Sequence, residues 1–463
     1  LKLGKEGLSI LLLRMMKRLY PNQSVKAETG SLLFAQNSKI ENALFFLTLL
    51  FLPTQFGRHF WPSFSYILGI RIDYLSPTVY LTDILILLLF IFFITSLQIK
   101  YLSKLFKRFS WLSINLLFLI VFLFLGVIFS KSPLAGFYGL FKLFEFIFFG
   151  VYTTRFVTKI NFKKILFVFS VAIIFESMLS VAQYLKQSSI GEFFYFFGER
   201  TFNGQTPGVA NASINGELIL RPYGTFSHPN VLGGYLLIGM TIILFSLGST
   251  KKQLRKILYS MSLIGGTLAL ILTFSRIAIL LWLIIIFIFL ISKAGKNFLK
   301  KNIAFFLIFI SIVIFSVFYT PIISRFSNLS LYDESFSQRE DLLKSSFTII
   351  KSHPFLGTGL NNFLIELAQV QKTNNVTFYL QPTHNTFLLV AVQTGILGLI
   401  YFIGFLAKTF KKAFWKRDLI NYKIIVFLSI LALGSFDHYF LTVQQGQLLL
   451  SFIFGLIWTR FKN

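Results

Sequence analysis

An all-α polytopic membrane protein with about twelve transmembrane helices is the fold class this sequence predicts, and three observations carry it. The 463 residues are 55% hydrophobic and only 13% charged, where a soluble domain carries about a quarter charged residues. Mean hydropathy is +0.73. Apolar runs of about 20 residues recur along the chain, each enough to cross about 30 Å of hydrocarbon. A soluble enzyme and a disordered chain are excluded. The chain has no cysteine, which also excludes disulfides and thiolate metal sites.

Taken in order, the spans fall near 41–56, 77–98, 110–130, 134–155, 163–185, 229–248, 256–273, 275–292, 302–320, 386–407, 422–437 and 443–460. In lipid the backbone must satisfy its own hydrogen bonds, so runs of this length are helices. Residues 1–40 precede this 41–463 membrane domain as a cytoplasmic segment. Their short apolar stretch is flanked by charge and lacks a cleavage site, unlike a signal peptide. An amphipathic helix on the membrane surface and a polar tail both fit them.

The net charge is +27, from 44 Lys and Arg against 17 Asp and Glu. With the N-terminus inside, 31 of those basic residues fall on inner segments and 12 on outer ones, Lys142 lying within a span. That split predicts both termini on the cytoplasmic side. The basic excess then orients the chain and faces anionic lipid, and no nucleic-acid partner is needed to explain it. Within the spans, Lys142 and Glu145 are spaced i,i+3 and predict a pair. Asp83 and Glu176 have no partner legible in the sequence.

Two outer segments are long, 186–228 and 321–385, and loops longer than about 15 residues are usually functional. In the second, Ser337-Gln338-Arg339-Glu340 has capping-box spacing ahead of Leu342, Leu343, Phe347 and Ile350, which predicts a helix starting there. Pro354 and Gly357-Thr358-Gly359 end it, and Asn361 is placed to cap another.

The candidate site residues lie on this face. Arg276, in Thr273-Phe274-Ser275-Arg276, sits between two apolar runs with almost no loop. It either snorkels to headgroups or holds an anion between helices. Arg339, in the first turn of the expected helix, opposes the macrodipole by about 0.3–1 kcal/mol. It is either a solvated surface residue or an anion ligand beside the helix terminus. Arg221 opens Arg221-Pro222-Tyr223-Gly224-Thr225-Phe226-Ser227-His228-Pro229-Asn230. This is a fixed turn presenting guanidinium, hydroxyl and imidazole at the membrane surface. His384-Asn385 stands at the mouth of the next span, nine residues before Gly395-Ile396-Leu397-Gly398. The five histidines have no HExxH spacing, so no metal or other cofactor is expected.

As an ordered set over about 200–400, these segments resemble the O-antigen ligase and Wzy-type polymerase superfamily. The resemblance rests on Arg221 with its proline–asparagine turn, the Ser275-Arg276 pair and the Arg339 helix leading to His353-Pro354-Phe355-Leu356-Gly357-Thr358-Gly359. It is completed by His384-Asn385 with the spaced glycines. It implies a GT-C-like helical membrane glycosyltransferase that works without a metal. Such an enzyme passes a glycan from a polyprenyl (undecaprenyl) diphosphate carrier to a lipid-, glycan- or protein-linked acceptor, outside the bacterial cytoplasmic membrane. In that setting His384, Arg276 and Arg339 are the expected catalytic residues. Arg221, His228, Asn385, Ser275 and Tyr223 are the expected substrate-binding ones, with Phe202, Tyr223 and Tyr379 available to stack on sugars or to anchor at the interface. The competing reading is a transporter or flippase of lipid-linked saccharides. Such proteins bind near the midplane through broken, repeated helices.

Overall fold

The computed structural model describes residues 39–96, 111–214, 217–247, 250, 252–292, 334–373, 379–414 and 421–459. Most of the expected N-terminal segment and the expected span over 302–320 lie outside the described residues. Elements are numbered over the described residues. Helix α1 covers 39–50. It is followed by α2 (Leu81–Ser96), α3 (Trp111–Ile128), α4 (Pro133–Phe156), α5 (Phe162–Lys186), α6 (Pro229–Leu247), α7 (Gln253–Leu272) and α8 (Arg276–Ile291). After these come α9 (Glu334–Ser352), α10 (Phe363–Thr373), α11 (Thr386–Ala413), α12 (Tyr422–Phe436), the short α13 (Tyr439–Thr442) and α14 (Gln444–Trp458). By length and composition α4, α5, α6, α7 and α11 suffice to cross a membrane. The fold is mostly helical, as expected of an all-α membrane protein.

Local chemistry sets the helix ends. Pro133 opens α4, where its missing N–H loses no helical bond. The Asn161, Asn385 and Asn421 side chains accept from Lys163, Leu388 and Ile424 N–H at the starts of α5, α11 and α12. Helix α6 is the hub, because 83% of its most apolar window is buried. Its neighbours include α5, α7, α8 and α12. Helices α4 and α14 cross closely: a Cβ on Gly455 would lie 2.5 Å from the Gly150 carbonyl oxygen, and the Thr154 hydroxyl donates to the Gly455 carbonyl at 3.1 Å. Small residues at such a crossing let two backbones approach.

Polar groups in the bundle are paired. Lys142 pairs with Glu145 at 2.8 Å, as their i,i+3 spacing predicts, and also with Asp83 of α2 at 2.9 Å, a partner that spacing did not reveal. Glu176 accepts from the Thr225 hydroxyl at 2.6 Å and the Thr225 N–H at 2.9 Å.

One end of the bundle carries a capping layer with its own core. Strand β1 (Gly57–His59) pairs with β4 (Thr78–Tyr80), and β2 (Tyr66–Ile67) pairs with β3 (Ile70–Arg71), both antiparallel. Ile67, Ile72 and Leu75 from this stretch pack with Leu342 and Ile349 of α9, Phe363 and Leu367 of α10, and Leu389 and Val392 of α11. The sequence reading gave 57–76 no role and started a span at 77, where the structure has β4 before α2 begins at Leu81, since strands this short show no period. It also misplaced the start of α9. The helix begins at Glu334, so Ser337 lies within it and Arg339 is in its second turn. The capping-box and macrodipole arguments therefore do not apply there.

Helix α11 is broken at Gly395 (φ 64°, ψ −175°). Backbone from 354–359 enters the break. The Ile396 N–H donates to Pro354 O at 2.9 Å, Thr358 N–H to Val392 O at 2.8 Å, and Gly359 N–H to Gln393 O at 3.0 Å. The Pro354–Gly359 motif therefore does more than stop α9; it locks the capping layer to α11.

Candidate functional site

Under the capping layer, three segments distant in sequence meet. The first is the turn 221–230. Strands β5 (Asn211–Ile214) and β6 (Glu217–Leu220) form a hairpin that delivers Arg221. Helix α5 then holds the turn: Gln183 Oε1 accepts from the Tyr223 and Gly224 N–H groups at 2.9 and 2.8 Å, and Glu176 takes Thr225. Arg221 is buried. Its Nε donates to Thr273 O at 2.7 Å and its Nη2 to Asn230 Oδ1 at 2.6 Å.

Thr273 belongs to the second segment, the α7–α8 turn, so this bond brings Arg221 to within three residues of Arg276. Phe274 sits there at φ 50°, an unusual conformation for an aromatic residue. Ser275 is the buried N-cap of α8, without a side-chain cap bond, and Arg276 is the first residue of the helix. An open helix N-terminus beside two guanidiniums is suited to bind an anion.

The third segment joins the start of α11 to the α12–α13 turn. Asn230 bridges to it, its Nδ2 donating to Asp437 Oδ2 at 3.0 Å. Asp437 Oδ1 accepts the His438 N–H at 2.8 Å and lies 3.8 Å from His384 Nδ1. That separation is an ionic approach rather than a hydrogen bond. The His384 and His438 rings are 5.0 Å apart, and His438 Nδ1 is 2.7 Å from the Thr442 hydroxyl. Tyr74 of the capping layer meets His438 edge-on at 5.6 Å. Arg339 is exposed on α9, close enough for its charge to lower the His438 pKa.

Electrostatics divide the histidines. Burial first and the Arg221 charge second push the His228 imidazole down to about 3. Burial pushes His438 down to about 4, against the pull of Asp437. Both are neutral near pH 7, because a buried cation loses its hydration. His228 Nδ1 accepts the Asn230 N–H at 3.1 Å, which fixes the ring at the start of α6. His59 and His353 lie apart from the cluster. His59 bonds the Ser76 and Thr78 hydroxyls, and His353 bonds Ser352.

The arrangement gathers Arg221, His228 and His384 and places Arg276 and Arg339 at its edges. Two expected contacts take other forms. Tyr223 is buried against Phe202, ring centroids 4.8 Å apart, and its hydroxyl accepts the Ala210 N–H. Neither ring presents a face to a sugar. Asn385 caps α11 and donates to Ser435 O at 3.0 Å, so the group beside the His384 ring is Asp437. Sequence reasoning passed over Asp437, Gln183 and Tyr74, named Asn230 only as part of the proline–asparagine turn, and counted His438 only among the five histidines. The one signal was the Asp437-His438 pair squeezed between two close spans.

His384, Asp437 and His438 each offer a ligand atom, all within 4.8 Å of one another, so these three could hold a metal ion. Both Asp437 oxygens already accept hydrogen bonds, and His438 Nδ1 is engaged with Thr442. With known proteins the comparison is brief. Residues 260–403 match the family model described as O-Antigen ligase (Wzy_C). No curated protein matches the chain.

Proposed function

We propose, from the match of residues 260–403 to the O-Antigen ligase family model, that this chain is a membrane glycosyltransferase with a polyprenyl-diphosphate-linked glycan as donor. The observation that carries this reading is the His384–Asp437 pair set beside buried Arg221 and the Arg276 helix start.

The chemistry runs as follows. An acceptor hydroxyl attacks the anomeric carbon of the donor sugar while the bond from that carbon to the diphosphate oxygen breaks. The hydroxyl proton passes to His384 Nε2, because Nδ1 faces the Asp437 carboxylate, which favours the Nδ1–H tautomer. The negative charge arriving on the diphosphate is met by Arg221, Arg276 and Arg339. Three guanidiniums supply the cationic charge, so the mechanism calls for no metal, and EDTA is expected to leave the purified enzyme's rate unchanged. The site opens on the outer face of the bacterial cytoplasmic membrane.

Gene deletion followed by analysis of lipid-linked glycans tests the reading. Accumulated full-length carrier-linked polymer identifies a ligase, and accumulated single repeat units a polymerase. Unchanged carrier-linked and surface glycans would overturn both.

Sidedness has its own test in this cysteine-free chain. Gln205 and Thr158 are exposed at opposite ends of the bundle. With the proposed orientation, impermeant maleimide labels Gln205→Cys in intact cells and leaves Thr158→Cys unlabelled until lysis. The reverse pattern would place the site inside.

The arginines act together. Truncating a buried charge-paired arginine costs about 2–5 kcal/mol, so Arg221→Ala and Arg276→Ala lose most transfer. Lysine keeps the charge but loses the planar fork, so Arg221→Lys should rescue poorly: one ammonium does not reproduce the paired contact with Thr273 O and Asn230. Arg339, exposed on α9, should show the smallest loss. Full activity in a well-folded alanine variant removes that arginine from the site.

A further inference from the structure

Between α5 and the β5–β6 hairpin the chain turns back along α5 instead of leaving the bundle. A 3₁₀ helix at Glu192–Phe197 packs Phe194 and Phe197 on Phe175 of α5, with ring centroids 6.3 and 5.4 Å away. Phe175 precedes the end of α5 at Lys186 by eleven residues, about 16 Å along the helix axis. Among the described residues the other side of this segment is exposed, and it presents Phe193, Tyr195 and Phe196. From these features we infer that 191–198 is a re-entrant segment whose aromatic face sits among the acyl chains of the leaflet on the His384 side. Its partner is a lipid surface, whichever reaction the site performs.

Depth is the first argument. Helix α5 is long and apolar enough to cross a membrane, and Met178 and Leu185 are exposed on it. Both lie nearer Lys186 than Phe175 does, so the exposed apolar band of α5 continues past the level where the aromatic segment packs. Helix α1 provides a second ruler. Helix α4 starts at the capping layer, where the Ser132 N–H donates to Asn362 Oδ1 at 2.8 Å, and Glu41 of α1 meets Tyr152 near its far end at 2.7 Å. From that far end, residues 39–50 rise about 18 Å. The following turn already touches the segment: the Thr54 hydroxyl donates to Phe197 O at 2.7 Å, and the Phe56 and Tyr195 rings are 6.1 Å apart. That contact falls short of the about 30 Å that hydrocarbon occupies.

Backbone bonding is the second argument, because irregular backbone persists in hydrocarbon only where its polar groups are satisfied. Buried Glu199 directs its carboxylate at the segment, Oε1 accepting the Ile190 N–H at 2.8 Å and Oε2 the Gly191 N–H at 2.7 Å. Oε1 also accepts Gln183 Nε2 at 2.7 Å, which ties the segment to α5. Lys186 Nζ donates to the Ser189 and Ile190 carbonyls at 3.0 and 3.1 Å. The Phe194, Gly198 and Glu199 N–H groups bond to Gly191, Tyr195 and Phe194 carbonyls. Within 191–200 exposed charge is confined to Glu192 and Arg200, at the two ends.

Because the chain has no cysteine, single spin labels in proteoliposomes test the depth. Labels at Phe193→Cys and Phe196→Cys should collide more often with oxygen than with a water-soluble nickel chelate, matching Met178→Cys. Gln205→Cys, exposed beyond the segment, should show the reverse. A second measurement leaves the chain unaltered and uses phosphatidylcholine with a diazirine on its acyl chain. After irradiation, tryptic peptide 187–200 should carry the lipid adduct, as should peptide 165–186 of α5. A water-like profile at both labels, or an adduct on 165–186 with none on 187–200, would overturn the inference. Low access to both reagents at 193 and 196 would show that protein covers the face, and would overturn the lipid assignment equally.

Discussion

His384→Ala is expected to lower the transfer rate by about 10²–10⁴-fold, the usual worth of a positioned general base, while leaving donor affinity nearly intact. The loss should fall on kcat, because in the proposed mechanism Arg221 and Arg276 hold the diphosphate without the imidazole. Asp437→Asn should move in the same direction. It keeps one carbonyl oxygen, which can still accept the His438 N–H, but loses the second acceptor that takes Asn230 Nδ2 and removes the charge facing His384 Nδ1 at 3.8 Å. The pH profile then separates two roles. A base must be neutral, so with saturating substrates and chemistry limiting, the rate rises as the imidazole loses its proton. A cation stabilising the leaving diphosphate gives the opposite slope. The neighbouring histidines do not confuse the reading. His228 and His438 are held down to about 3 and about 4, so a limb near neutral pH does not come from them. An unchanged rate and profile in His384→Ala would dismiss both roles.

How much of this was legible in the sequence follows from the range of the forces involved. Apolar runs of about 20 residues are a local signal with one physical cause, and the described helices α2 to α8, α11, α12 and α14 lie where those runs lie. The Arg221 turn, the Ser275-Arg276 pair and His384 were legible as well, because a charged or strained residue beside a long apolar run is conspicuous. Partners were not. Arg221 reaches Thr273 across 52 residues, and Asn230 reaches Asp437 across 207. No periodicity encodes contacts of that kind. Asp437 was hidden because a single acid at a span end looks like any interfacial residue until folding places it against His384. Tyr223 shows the converse error. An aromatic ring in an outer loop resembles a sugar platform, but burial against Phe202 is decided by the β5–β6 hairpin packing on α5. The glycines of 395–398 announced close packing, although the partner they admit is a loop backbone and not a second helix.

That loop sets up the largest stability effect expected. Gly395→Ala should abolish the native join between the capping layer and α11. At φ 64° and ψ −175° the backbone is in a region open essentially to glycine alone, costing other residues about 1–3 kcal/mol. Sterics add to this, since the new Cβ would lie 2.1 Å from the Phe355 carbonyl oxygen and 2.4 Å from its carbon. Both atoms are backbone, so no rotamer change relieves the contact. Either α11 straightens or the 354–359 segment leaves, and both routes break the bonds to Val392, Gln393 and Ile396. The consequence reaches the site, because α9 carries Arg339 and α11 starts beside His384. Their relative position depends on this join. The variant should therefore melt well below the parent in detergent and lose transfer activity even where it is produced. Gly404→Ala, on the same helix, is the matched control. A Cβ there meets nothing within 4 Å, and helical Gly→Ala exchange is neutral or stabilising by up to about 1 kcal/mol. Equal melting temperatures for the two variants would show that the break at Gly395 does not hold the capping layer to the bundle.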